Sequence, residues 1–265
     1  MTAYLALFSA RLRTLLRYRA AAWAGVGTQL FFGIVLIATR KAFYEHSSAV
    51  PPLPFAKMVT YSWLVQALFA MSPFTANPDP EVRKQLLDGS VAYELCRPLD
   101  LHTLWLVRNA ANRLAPTLLR SGPIFALGIL FFGMEPPPSA LALGSFLLAI
   151  CGALALIAAW CALICTSLLW TLSGDGLART GPFLVSLLSG QLVPLALYPD
   201  GLQPALKFLP FSGMLDAPFS LYLGTVPPSG VVGVLAHQLA WTLCFVLLGR
   251  FLLSRGLKRL VVQGG

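Results

Sequence analysis

Acidic residues are scarce in this chain. Ten Asp and Glu stand against 19 Lys and Arg, and all charged types together make up only 11% of 265 residues, while 57% are hydrophobic. An average soluble domain carries roughly 25% charged residues. A soluble fold this short has no way to hide so much apolar surface, whereas a bilayer accepts it as the outer face. The longest uncharged stretches contain no acid, which counts against a proton-coupled transporter, since such proteins keep acidic relays within their spans. Histidine is equally sparse: His46, His102 and His237 lie far apart and form no cluster. There is no HExxH motif and no GxxxxGK[ST] loop, which excludes that zinc-protease chemistry and that mode of ATP binding. The five cysteines include no CxxC pair. Cys161 and Cys165 stand one helical turn apart with no His or carboxylate nearby, so packing is expected there rather than a metal site. No catalytic residue, metal ligand or cofactor is expected in the chain itself. The first residues also lack the apolar core and small-residue cleavage site of a signal peptide, so the first span is expected to be retained.

What remains is long apolar runs and a net charge of +9. In a soluble protein that charge would suggest nucleic acid; here it follows the rule that Lys and Arg gather on the cytoplasmic side of membrane proteins. About 20 apolar residues cross the hydrocarbon core as a helix. Gaps between charges predict six spans, over residues 20–39, 58–75, 114–133, 141–172, 180–199 and 230–253. With both termini inside, every Lys and Arg except Arg40, Lys41, Lys57 and Lys207 falls on the cytoplasmic side; the reversed topology inverts that bias. Arg250 falls three residues from the cytoplasmic end of the last predicted span, and Arg120 is the one other charge within a span, either as a functional group or as a side chain snorkelling to lipid phosphate.

The connecting pieces have patterns of their own. Residues 1–19 repeat Leu5, Phe8, Leu12, Leu15 and Leu16 at helical spacing with Arg13 and Arg17 on another face, as an interfacial helix does. After Asn77 and Pro78, Asp79 suits an N-cap, Pro80 the first helical position and Glu81 the positive end of the dipole. Val82, Leu86 and Leu87 then form an apolar stripe, with Gly89 as terminator, which predicts a short amphipathic helix over 80–88 whose stripe needs a partner. Tyr93, Glu94, Arg97 and Asp100 cluster around Pro98, and Asp100 can cap a helix in which Leu101, Leu104, Trp105 and Arg108 share a face. Residues 200–225 are too apolar for a free loop and too broken by Pro204, Pro210 and Pro218 for a span; a re-entrant or interfacial hairpin fits.

This layout resembles the ABC-2-type permeases over essentially the whole chain. Gly89, Ala92-Tyr93-Glu94-Leu95 and Arg97-Pro98-Leu99-Asp100 match a G-x-x-A-Y-E-L-x-R-P-L-D string of one bacterial subfamily, some of whose members are described as viologen exporters. The ending Val261-Val262-Gln263-Gly264-Gly265 is similar to that subfamily's tail. Cys96 stands where an aliphatic residue is expected. The resemblance implies an all-α membrane half-transporter in the bacterial cytoplasmic (inner) membrane, paired with a second identical or homologous permease and two separate ABC ATPase subunits that hold ATP and Mg. It implies no nucleic-acid partner. Segment 80–88 would be the coupling helix, with Glu81, Val82, Arg83, Leu86, Leu87, Tyr93, Glu94, Arg97 and Asp100 at the ATPase contact. Trp63, Gln66, Phe69, Arg120, Leu188, Gln191 and Leu195 would line the substrate path, for a hydrophobic or cationic amphiphilic small molecule. The competing classes are a non-ABC membrane transporter, a membrane scaffold and a membrane enzyme.

Overall fold

A computed structural model describes residues 2–46, 51–72, 79–170 and 175–259. Among these residues the fold is helical throughout. Four helices are long and apolar enough to cross a bilayer: α2 (Arg19–His46), α6 (Leu101–Phe131), α7 (Ala140–Ser167) and the helix Pro228–Gly256, whose α-helical part is α11 (Val231–Gly256). Their flanks are those expected of membrane helices. Ser139 caps α7 by accepting from the Ala142 amide, and Arg250 and Arg255 lie in the last turns of α11.

α1 (Thr2–Leu16) is separate from α2 and lies along α6. Two short elements follow the predicted 80–88 register: α4 (Pro80–Leu87) and α5 (Val91–Leu95). The Asp79 carboxylate accepts from the Glu81 amide at the start of α4, and Gly89 takes a positive φ of 74° after it. The segments around Asn77 and Pro78, the end of the second span near Pro73, and the 261–265 tail lie outside the described residues.

Three expectations change. The capped helix at Asp100 and the span over 114–133 are one unbroken element, α6, because Asp100 caps it through the Thr103 amide and nothing between them stops a helix. Pro116 and Pro123 are inside it; each removes a backbone donor, which membrane helices tolerate where neighbours re-satisfy the freed carbonyls. The stretch expected to span from residue 58 is shorter: α3 (Phe55–Ala67) gives way to a 3-10 turn, Phe69–Met71. The stretch over 180–199 breaks early: α8 (Asp175–Leu188) ends before Gly190, whose φ is 84°, and only a 3-10 turn, Leu195–Leu197, follows. α3 and α8 extend about 20 Å at 1.5 Å per residue, less than the ~30 Å hydrocarbon core.

The hairpin region comprises α9 (Gln203–Phe208), a 3-10 turn (Ser212–Met214) and α10 (Asp216–Tyr222). It is held inward. Met214, Leu215 and Phe219 are buried in the main core with Trp63, Leu64, Ile124, Leu156 and Ile157. Gln238 of α11 donates to the carbonyls of Ala149 on α7 and Gly213 in the hairpin, at 2.9 and 2.8 Å. Tyr61 of α3 donates to the Gly190 carbonyl at 2.8 Å and lies 3.1 Å from Asp216 Oδ1. That same carboxylate accepts from the Leu195 amide at 3.2 Å, and the Asp216 amide donates to the Ser189 carbonyl. The break after α8 is therefore satisfied by α3 and α10 rather than left open to lipid. A second, smaller core gathers Val82, Val91, Leu104, Trp105, Ala162, Cys165 and Leu253 at the opposite end of the bundle.

Candidate functional site

The α4–α5 segment is built around Arg108 of α6. Its guanidinium reaches Glu81 at 2.7 Å, Glu94 at 3.1 Å and Asp79 at 3.6 Å. Glu94 also accepts from the Gln85 amide group at 3.0 Å. Asn112, one turn further along α6, donates to Asp79 and accepts from Arg11 of α1, both at 3.0 Å. Arg11 pairs with Glu81 at 3.4 Å. Asp100 closes the arrangement on the other side: its amide donates to the Tyr4 hydroxyl, and its carboxylate lies 3.5 Å from Arg250 of α11. Partial burial works upward on the Asp100 carboxyl, but the Thr103 hydroxyl and amide, with Arg250, bring it below the usual carboxylate range. At exposed Asp88 the Ser90 hydroxyl and amide do the same. Charges so connected behave as one rigid network, unlike isolated surface pairs, which are worth little.

The nine residues expected at the ATPase contact divide by direction. Val82 is buried in the smaller core and Leu86 packs against it. Two of the three residues of the apolar stripe of α4, Val82 and Leu86, thus find packing partners within the chain itself. Glu94 is buried, and Glu81 and Asp100 are half committed to the ion-pair network. Tyr93, 78% exposed, and Arg97 face outward, as do Lys84 and Leu95, and Arg83 lies with Lys84 on the wall of a shallow depression. The Leu87 side chain lies outside what the structure describes.

A cavity of about 660 Å³ opens along the face of α2. Gln29, Phe32 and Thr39 of α2 form one wall, with Gln66, Phe69, Arg120 and Gln191 opposite. Four of the seven residues expected on a substrate path thus come together. Three do not: Trp63 is fully buried behind the wall, tilted against Phe132, Leu195 is buried in the Asp216 network, and Leu188 ends α8 away from the cavity lining. The contribution of α2 was missed, although Gly25, Thr28, Gln29, Phe32, Leu36 and Thr39 recur at helical spacing and mark one face. Gln191 accepts from the Ser72 hydroxyl. Gln29 is only 4% exposed, and both polar atoms of its amide lack a hydrogen-bond partner. Arg120 lies flat against α2 at Gly25, where an added Cβ would meet its guanidinium at 2.5 Å. Its Nε has no hydrogen-bond partner, and among the described residues it forms no ion pair.

A family model described as ABC-2 family transporter protein matches residues 28–264. The chain belongs to the ABC-2 transporter family. Comparison with curated proteins and with solved structures found no match. As an ABC-2 permease it is a multi-pass membrane protein and the transport component of its system, not the ATPase, and membership implies association with an ABC ATPase. Two parts of this ABC-2 permease are then set apart from its packing core: the braced α4–α5 segment and the amide-lined cavity. α6 joins them, carrying Arg108 at one and Arg120 at the other.

Proposed function

We propose that this permease is one half of the membrane domain of an ATP-driven exporter of apolar or amphiphilic small molecules. In this reading α2, α6, α7 and α11 cross the bilayer as whole helices, the two remaining crossings are made by α3 and α8 together with the 3-10 turns that follow them (Phe69–Met71 and Leu195–Leu197), both termini are cytoplasmic, and the membrane is the bacterial inner membrane. A second permease, identical or homologous, completes the substrate path, and two ATPase subunits bind ATP and Mg below. α4 is the coupling helix. Tyr93, Arg97, Arg83 and Lys84 meet the ATPase, while Glu81, Val82, Glu94 and Asp100 fix the segment to the bundle. ATP-driven closure of the ATPases moves α4 and α5; Arg108 transmits that movement to α6; and α6 alters the cavity wall at Arg120. Gln66, Phe69 and Gln191 complete that wall.

The observation that carries this reading is the continuity of α6 from the Asp100 cap to Phe131. Arg108 and Arg120 are about 18 Å apart along one helix at 1.5 Å per residue. A surface segment braced by one buried arginine to a cavity-lining helix is what force transfer requires, and a scaffold has no need of it. The test is a pull-down from mild detergent with a tag on this chain, comparing wild type with Tyr93→Asp combined with Arg97→Glu. An ATPase that copurifies with wild type and is lost from the variant, at equal permease folding, supports the reading. Wild type that brings down no ATPase under conditions preserving complexes removes it in favour of a scaffold or secondary transporter.

A further inference from the structure

The sequence-level expectation for the cargo included cationic amphiphiles, but the cavity wall has the wrong charge for one. Arg120 is the one formal charge among the described lining residues, and no acid is among them. Arg120 is partly buried; a partly desolvated cation without a partner carries a cost, and a cationic headgroup in the same space adds like-charge repulsion. An anion removes both penalties, because a guanidinium pairs with carboxylate or phosphate through charge-assisted, often bidentate hydrogen bonds.

A second observation points the same way and is independent of charge. Gln29 is buried on the same face of α2, and both its amide oxygen and nitrogen lack partners. Buried side-chain amides are ordinarily satisfied, so an unpaired amide on a cavity-lining residue supplies hydrogen-bonding capacity for a ligand's polar end. Gly25 and Gln29 are one turn apart, and Gly25 is the residue against which the Arg120 guanidinium rests. The unmet polar groups therefore lie together toward one end of the cavity. From Gly25 to Thr39 the cavity follows α2 for about 21 Å at 1.5 Å per residue, passing Phe32, Val35 and Leu36. Arg120 and Gln29 supply the polar groups at the Gly25 end; Gln66, Gln191 and Thr39 add polar groups further along, and Phe32, Val35, Leu36, Phe69 and Leu192 give the apolar surface.

We infer that this cavity seats an amphiphile with an anionic head, of the phosphate or carboxylate class, its head at Arg120 and Gln29 and its tail along Phe32, Val35 and Leu36. The inference rests on the cavity being the exporter's substrate path, as proposed above. Arg120 sets the sign of charge accepted; Gln29 orients the head without setting that sign. Gly25 leaves the room in which the guanidinium lies.

The experiment measures binding of three chain-matched probes, dodecyl phosphate, dodecanol and dodecyltrimethylammonium, to the full-length permease in phosphatidylcholine nanodiscs. Wild type is expected to bind dodecyl phosphate at least about tenfold more tightly than the cation, the scale of a charge-assisted hydrogen bond. Arg120→Gln is expected to erase the difference, Arg120→Lys to keep part of it, and Gln29→Leu to weaken dodecyl phosphate while keeping the order of the probes. Arg120→Lys retains a cation and guards against misreading a folding defect. Equal binding of the three probes, tighter binding of the cation, or a phosphate preference that survives Arg120→Gln overturns the inference. Adding the copurified ATPase separates the sources of the ligand: stimulation of ATP hydrolysis by dodecyl phosphate marks transported cargo, and binding without stimulation marks a resident anionic lipid held by the same groups. Absence of a charge preference in wild type with the ATPase still bound refutes this inference alone. A charge preference without any ATPase refutes the exporter reading and leaves the anion site standing.

Discussion

Tyr61 joins three parts of the chain through one hydroxyl: its own helix α3, the break after α8 at Gly190, and the hairpin residue Asp216. Tyr61→Phe removes the donor and leaves the Gly190 carbonyl buried without it. We expect a loss of about 1–3 kcal/mol, the cost of an unsatisfied buried group, seen as a lower unfolding midpoint in detergent; an unchanged midpoint would show that the network is not needed to hold the break. Gln238 offers a matching test. A Cβ at Gly152 would come within 2.0 Å of the Gln238 amide oxygen, so Gly152→Ala should drive that amide off the Ala149 and Gly213 carbonyls. The expected result is faster proteolysis or hydrogen exchange within residues 200–225. At this scale the sequence was informative where a residue breaks the local pattern. Arg120 stood out as a charge in an apolar run, and Asp79 and Asp100 as caps. Gln29 did not stand out, because an uncharged amide in a long apolar helix changes neither its charge nor its hydropathy enough to be noticed.

Among the elements, α6 carries the largest share of the proposed mechanism. Arg108 is mostly buried, and so are Asp79 and Glu94, with which it pairs. Removing one member of such a group leaves its partners as uncompensated buried charges, at a cost of about 3–5 kcal/mol. Arg108→Gln should therefore release α4 and α5 while the main core, which lies elsewhere, stays folded. Rapid cleavage within 79–100 and loss of ATPase copurification, with an unchanged core melting midpoint, is the expected pattern. If cleavage is unchanged, Arg108 is not the brace. Long elements with a single apolar period, α7 above all, were legible from the spacing of charges. The ends of α3 and α8 were not. α8 stops at Leu188 because Tyr61 and Asp216, distant in sequence, satisfy the backbone around Gly190, and no local pattern carries that information. The packing of Val82 and Leu86 of α4 was not legible either, since Val91, Trp105 and Leu253, which share their cluster, come from other elements.

For the whole molecule, the proposed orientation places the α4–α5 end in the cytoplasm and the hairpin outside. Cys96 is exposed at the first of these ends; Cys161 and Cys165 are buried, and Cys151 and Cys244 are exposed on the membrane-crossing helices α7 and α11, where lipid shields them from a polar reagent in this orientation. A membrane-impermeant maleimide should label wild type in inside-out vesicles and spare Cys96→Ser, and should leave intact spheroplasts unlabelled at this position. Asp200→Cys, on the exposed turn before α9, should show the opposite sidedness. Labelling of Cys96 from outside would invert the topology and with it the ATPase contact. The interior offers one more consequence. Pro116 falls between Arg108 and Arg120 and deprives α6 of a backbone donor there. A rod interrupted in this way is a spring: part of a stroke applied at Arg108 is stored as bending before it reaches Arg120. Pro116→Ala would stiffen it, so that ATP hydrolysis and cavity opening become more tightly geared, and a cargo jammed at Arg120 would stall the ATPase sooner.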